Sequence, residues 1–157
     1  MNPASSSSQP NTTLHGNYVL LRADTLRLLL PQHEVGALEY LESVPASGDV
    51  PGLFLSTGKG EMPDRRFVAL SAQMSLLTSF PAQRFVYTTL GDSEDDLLSW
   101  CWDEVQVLPE LELSPQTLPA VLRAPQTPVV RFAEYKDEIV FLCSARQLRS
   151  YALGLGS

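Results

Sequence analysis

From Tyr18 onward the chain reads as short apolar runs of strand length, separated by turn residues. "NYVLLRADTLRLLLP" opens this pattern. Tyr18–Arg22 and Leu26–Leu30 are the runs of a hairpin, Ala23-Asp24-Thr25 its turn, and Pro31 its stop. In "HEVGALEYLESVPASGDVPG", Val35, Leu38 and Leu41 recur at helical spacing, but Gly36 weakens a helix, so a short helix or an irregular segment is expected before a loop over 45–51. "GLFLS" and "RRFVAL" read as strands around the exposed turn "TGKGEMPD". "LSAQMSLLTSF" predicts a helix capped by Ser71, with Met74 and Leu77 inward and Pro81 as its end.

The second half has the same texture. "RFVYTTL" (84–90) and 97–108 are predicted strands on either side of the acidic turn "GDSEDD". Pro109, Pro115, Pro119, Pro125 and Pro128 then punctuate a stretch that predicts a crossing loop. "VVRFAEY" and "EIVFLCS" form a hairpin around Lys136-Asp137, and "SARQLRSYAL" a terminal helix with Ser144 as cap and Leu148 inward. The tally is about seven to nine short strands with about two or three short helices. Strands do not alternate with long helices, so a mainly β barrel or sandwich is favoured over a doubly wound parallel sheet. Residues 1–16 are rich in Ser, Asn, Thr and Pro and have little to bury, so a disordered tail is expected, with the folded unit spanning 17–157.

Composition narrows the function classes. The 157 residues suffice for one domain or two small ones, 44% hydrophobic content supplies a core, and the net charge is −7. That charge disfavours phosphate backbones and anionic membrane surfaces as partners. No apolar run approaches the ~20 residues of a membrane span, and "MNPASSSSQPNTT" lacks a signal peptide's basic start and apolar core. A cytoplasmic protein is expected, with Cys101 and Cys143 as small buried hydrophobes, not a disulfide.

No catalytic, metal or cofactor constellation emerges. "GLFLSTGKGE" has five residues between Gly52 and the Gly-Lys pair, one more than a phosphate-binding loop, and Gly60 where that loop needs Ser or Thr. His15 and His33 have no ligand partners at metal spacing, and "DSEDD" lacks the glycine and distal glutamate of a calcium loop. Both cysteines lie in apolar strands, where burial raises a thiol's pKa. Arg65-Arg66 reads as a solvent-facing pair opening a strand.

Several of these segments, in order, resemble the CheW-like domain of bacterial chemotaxis coupling proteins. "NYVLLRADTLRLLLPQHEV" is similar to the family's opening hairpin with its closing Val, here Val35. "GLFLSTG" resembles the Gly and short strand that lead into an Asn-Leu-Arg-Gly turn. "RRFVALSAQMSLL" resembles the strand and short helix that come next. "RFVYTTL" with "LLSWCWDEVQVL" is similar to a strand pair carrying a Val-Asp-x-Val signature, here Trp102-Asp103-Glu104-Val105. "TPVVRFAEYKDEIVFLCSARQL" is similar to the closing hairpin and helix. The resemblance covers about 17–153 and rests on order and spacing. It implies two intertwined five-stranded β-barrels of SH3-like type, and a non-enzymatic adaptor that bridges chemoreceptors and a histidine kinase without a cofactor. It places Val35, Gly52, Thr57, Gly58, Trp102, Asp103 and Val105 as candidate protein-binding residues.

The chain departs from that pattern where the turn's arginine is Thr57, where Ala37 replaces a common acid, and where Arg131 replaces a usual glycine. A diverged member with another partner, such as one in a type IV pilus or surface-sensing system, fits those departures. The alternatives are an unrelated β-barrel that binds a small ligand or protein, and a small enzyme using Cys101 or Cys143. On an alternating strand, Trp100, Trp102 and Glu104 share one face and Cys101, Asp103 and Val105 the other. The tryptophans would then cover a seam, with Cys101, Val105 and Val107 lining a barrel. Asp103 would need a partner or a bulge, and an exposed Trp would be a candidate hot spot.

Overall fold

The computed structural model defines residues 13–36, 38–48, 51–56, 65–91, 98–119, 121, 129 and 131–155. They are mainly β. The strands are β1 (Leu14–Ala23), β2 (Leu26–Pro31), β3 (Glu39–Tyr40), β4 (Ala46–Ser47), β5 (Phe54–Ser56), β6 (Arg65–Ala69), β7 (Val86–Thr88), β8 (Leu98–Trp102), β9 (Glu104–Leu113), β10 (Gln116–Thr117), β11 (Arg131–Tyr135) and β12 (Glu138–Leu142), followed by helix α1 (Ala145–Leu155). They form two six-stranded sheets, in the orders β10-β11-β12-β2-β1-β9 and β3-β7-β8-β6-β5-β4. The two ends of the chain build the first sheet and its middle builds the second. The chain returns at Asp103, the one residue between β8 and β9.

Three clusters of buried side chains explain why the apolar runs are so dense. Leu20, Leu29, Leu108, Leu113, Ala133, Val140 and Leu142 form a core within the first sheet. They come from β9 at one edge and from β11 near the other, so this sheet curls around its own interior. Phe54, Phe67, Ala69, Tyr87 and Cys101 do the same within the second sheet. Between the sheets lies a third core, containing Val19, Leu21, Leu28, Leu30, Val68, Leu70, Trp100 and Trp102. β1 and β2 therefore bury both faces, which is why "VLL" and "LLL" run apolar without alternation. The hydrogen-bonded ladders stay open, ending at β9 and β10 in one sheet and β3 and β4 in the other, so five-stranded closed barrels are not what the pairing forms.

The opening hairpin pairs Ala23 with Leu26 around Asp24, whose φ is 55°. The β11–β12 turn has Lys136 and Asp137 both at positive φ (49° and 65°), as a type I′ turn requires. Helix α1 begins as expected: the Ser144 Oγ accepts the Gln147 amide at 3.1 Å, and Leu148 is fully buried.

Other expectations are corrected. The first strand starts at Leu14, so residues 14–16 belong to the sheet and not to a tail. The expected helix over 71–80 is a tight turn. Ser71 does cap it, its Oγ accepting the Gln73 and Ser75 amides. Met74, however, takes φ 64°, and the Leu77 amide returns to the Ala69 carbonyl, so the chain folds back on β6 before a helix can propagate. Among the described residues α1 is the single α-helix, beside a 3-10 turn at Gln32–Glu34. The strand expected to stop at Leu108 continues through Pro109 to Leu113. β9 is an edge strand, its register against β1 shifts between Gly16 and Tyr18, and Glu110 sits at φ 52° with its amide on the Asn17 Oδ1 at 2.9 Å. A proline at a bulge on an edge costs no ladder bond.

Candidate interaction surface

The joint between the sheets holds a fully buried arginine. Arg84 enters just before β7 and its side chain is 0% exposed. A buried guanidinium is tolerable only when it is paired and its donors are used. Here Nε donates to the Asp103 Oδ1 at 3.2 Å, one terminal nitrogen lies 3.3 Å from the Asp24 Oδ2, and the other donates to the Leu70 carbonyl. Asp103 in turn accepts the Asp24 amide on Oδ2, and its own amide donates to the Arg22 carbonyl at 2.8 Å. One arginine thus ties the β1–β2 turn, the β8–β9 break and the end of β6. Asp103 lies at a bend, outside the alternation of either strand, and this satisfies the carboxylate that simple alternation places inward. The bend also resets the phase: Cys101 enters the second sheet's core, Val105 packs against the core between the sheets, and Val107 is 50% exposed, not interior.

The residues singled out from the sequence do not converge on a surface. Trp102 is 0% exposed, with its Nε1 donating to the Thr88 Oγ1 at 3.1 Å, so it offers no exposed hot spot. Val35 and Val105 are half-buried against the same inter-sheet core, and Val35 bridges to Leu90. Gly52 is a turn glycine at φ 88°, where a Cβ would meet the Leu76 side chain at 3.0 Å. Thr57 and Gly58 lie outside the described residues.

Among the described residues, Val107 on β9, Val121 and Ile139 on β12 are exposed singly, and the other exposed large apolar side chains lie in 38–44 and at 85. Leu38, Tyr40, Val44 and Phe85 are 42%, 66%, 64% and 53% exposed. Three of them flank the free edge of the second sheet. β3 is its terminal strand, Tyr40 pairs with Val86, and the Leu41 amide donates to the Phe85 carbonyl at 2.7 Å. Leu38 and Tyr40, two residues apart, share one face of this edge, and Phe85, opposite Leu41, presents its ring on the other. Glu39 and Glu42 add negative charge. Glu39 lies 3.8 Å from Arg65, whose guanidinium sits over the Tyr87 ring at 5.7 Å from its centroid. Burial and a hydrogen bond to Glu39 raise the Tyr87 pKa, so its hydroxyl stays protonated. Sequence reading missed this edge because a two-residue strand carries no periodicity. The one signal was "LEYLE", an aromatic among acids.

Cys101 and Cys143 are free and buried. Burial pushes both thiols up to about 12, with Glu34 adding to the effect at Cys143 and Arg84 partly opposing it at Cys101. Neither forms a thiolate near neutral pH. Among the described residues no group of His, Cys, Asp and Glu is placed to hold a metal ion, and no helix is long and apolar enough to cross a membrane. No protein-family model matches the chain, and no curated protein matches it.

Proposed function

We propose that this chain is a non-enzymatic adaptor of the CheW-like type, which couples a receptor to a histidine kinase in a bacterial chemosensory or related type IV pilus system. The observation that carries this reading is the order of the chain through the two sheets. The ends form one curled sheet and the middle the other, each wraps its own core, and both share a seam. Two curled sheets sharing a buried seam fit the intertwined pair that the CheW-like resemblance implies, with open ladders in place of closed five-stranded barrels, and the open edges are the available docking elements. The partner-facing element is the β3 edge, where Leu38, Tyr40 and Phe85 leave apolar surface beside unpaired backbone. Thr57, in place of the family's arginine, points to a receptor contact unlike that of typical coupling proteins. A cytoplasmic location belongs to the same reading.

The test is affinity purification of the tagged chain from cells of its source, with mass spectrometry of co-purifying proteins, alongside a Tyr40→Asp variant. Recovery of a chemosensory kinase or receptor by the native chain, lost with Y40D, supports the reading. Purification of the bait alone, or recovery of unrelated proteins by both chains, overturns it.

A further inference from the structure

The first sheet has an open mouth of a different character from the β3 edge. Arg131 begins β11 and stands opposite Leu142, which is in register with Leu29 of β2. Side chains in register across a sheet share a face. Leu29 and Leu142 point into the sheet's own core, as does Ala133, two residues beyond Arg131. The register therefore places an arginine on the core-facing side, at the end where the curl opens. Beside it is a groove of about 230 Å³ with apolar walls from Leu14, Tyr18, Leu29, Pro31 and Leu142.

The polar groups of this groove are unequally committed. Glu34 Oε1 accepts the Ala145 amide at 2.7 Å and the Ser144 Oγ accepts that of Gln147, so both oxygens already serve the first turn of α1. Arg22, Arg27, Arg65 and Arg84 all stand in ion pairs. Arg131 is exposed and makes no ion pair among the described residues. The groove is of mixed character, with Glu34, Ser144 and Gln147 beside its leucines, and a planar guanidinium at its lip matches a carboxylate, which it can bind through two parallel hydrogen bonds.

We propose that the mouth of the first sheet binds a small carboxylate with a short apolar tail, the Arg131 guanidinium holding the carboxylate and Leu14, Tyr18, Leu29 and Leu142 receiving the tail. A groove of about 230 Å³ calls for a small ligand, and hexanoate, a carboxylate with a short apolar tail, is the probe for it. This site lies on the sheet that does not carry the β3 edge and does not depend on the adaptor reading.

The test is a titration of the isotope-labelled full chain with hexanoate, hexan-1-ol and hexylamine, followed by amide chemical shifts. Saturable hexanoate shifts at Tyr18, Leu29, Arg131 and Leu142 are expected, with hexanol and hexylamine at least about tenfold weaker. Arg131→Gln, at an exposed position, is expected to remove that preference, because a charge-assisted hydrogen bond is worth about tenfold or more in affinity. Tyr40→Asp is expected to leave the hexanoate shifts unchanged. Absence of saturable shifts at the groove overturns the site. Equal binding of hexanoate and hexanol, or an unaltered preference in R131Q, overturns the role of Arg131. A short peptide with a C-terminal leucine that binds more than tenfold tighter than hexanoate overturns the small-molecule assignment in favour of a peptide terminus.

Discussion

Trp100 and Trp102 stack with their ring centroids 6.2 Å apart and their planes 9° from parallel, inside the core between the two sheets. Two residues apart on β8, they share a face, and that face is the seam. Their indole nitrogens differ. The Trp102 Nε1 donates to the Thr88 Oγ1, whereas the Trp100 Nε1, equally buried, has no hydrogen-bond partner among the described residues. The difference predicts unequal costs for the same substitution. Trp102→Phe breaks a bond and leaves the hydroxyl of fully buried Thr88 unpaired, while Trp100→Phe removes a donor that is already unsatisfied. Urea unfolding is expected to place Trp102→Phe about 1–2 kcal/mol below Trp100→Phe in stability. Equal losses would mean that Trp100 has a partner, such as an ordered water.

Arg84 carries the second prediction. Removing one member of a buried ion pair strands the others, at a typical cost of about 3–5 kcal/mol. Arg84→Met is expected to lose roughly that much. Arg84→Met combined with Asp103→Asn is expected to lose clearly less than the sum of the singles, since the two side chains are in direct contact. Additive losses in thermal or urea melts would show that Arg84 acts by packing alone.

The same two residues mark how far the sequence could be read. The hairpin at 18–30 was legible because each run is apolar and the turn residues between them are distinctive. Trp100 and Trp102 on a seam, with Cys101 on the opposite face, followed from strand alternation and agree with the structure. Alternation failed after Asp103, because a one-residue break between strands of different sheets has no signature in hydropathy. Asp103 announced that it needed a partner, yet nothing local names Arg84, which lies 19 residues earlier and looks like the polar start of a strand. Met74 and Pro109 misled for a shared reason. Left-handed backbone at Met74 and a bulge at Glu110 are decided by the neighbouring strand, which overrides helix propensity at one and strand-breaking at the other. The β3 edge was illegible because exposure of Tyr40 and Phe85 depends on which strand ends the sheet.

The thiols give a pH dependence with a definite sign. Cys101 and Cys143 have folded-state pKa values raised from 9.0 to about 12 by burial. Between those values the unfolded chain releases thiol protons that the folded chain retains, so unfolding is favoured as pH rises. The thiol contribution is fully present below about pH 9 and is lost as pH climbs toward 12. Tyr87, raised from 10.0, acts in the same direction. Melting temperatures from pH 8 to 11 are expected to fall, and less steeply in a Cys101→Ala/Cys143→Ala chain. Ellman's reagent at neutral pH is expected to label neither thiol in the native chain and both in denaturant. Rapid native labelling would contradict the burial of both thiols.

The β3 edge yields a prediction in which stability and binding separate. Tyr40 and Phe85 are more than half exposed, so replacing them with serine removes little packing. Surface changes of this kind stay within about ±0.5 kcal/mol. If the edge is where a partner docks, the same changes remove aromatic anchors from the centre of an interface, where truncation typically costs about 2 kcal/mol or more. Tyr40→Ser and Phe85→Ser are therefore expected to melt like the native chain yet bind the captured partner at least about tenfold more weakly. Val107→Ser, at a half-exposed position on β9 of the other sheet, is the matched control and is expected to change neither. Equal binding by all three variants in a calorimetric titration would move the docking surface away from β3. Weakened binding by Val107→Ser alone would place it along β9, the long free edge of the first sheet.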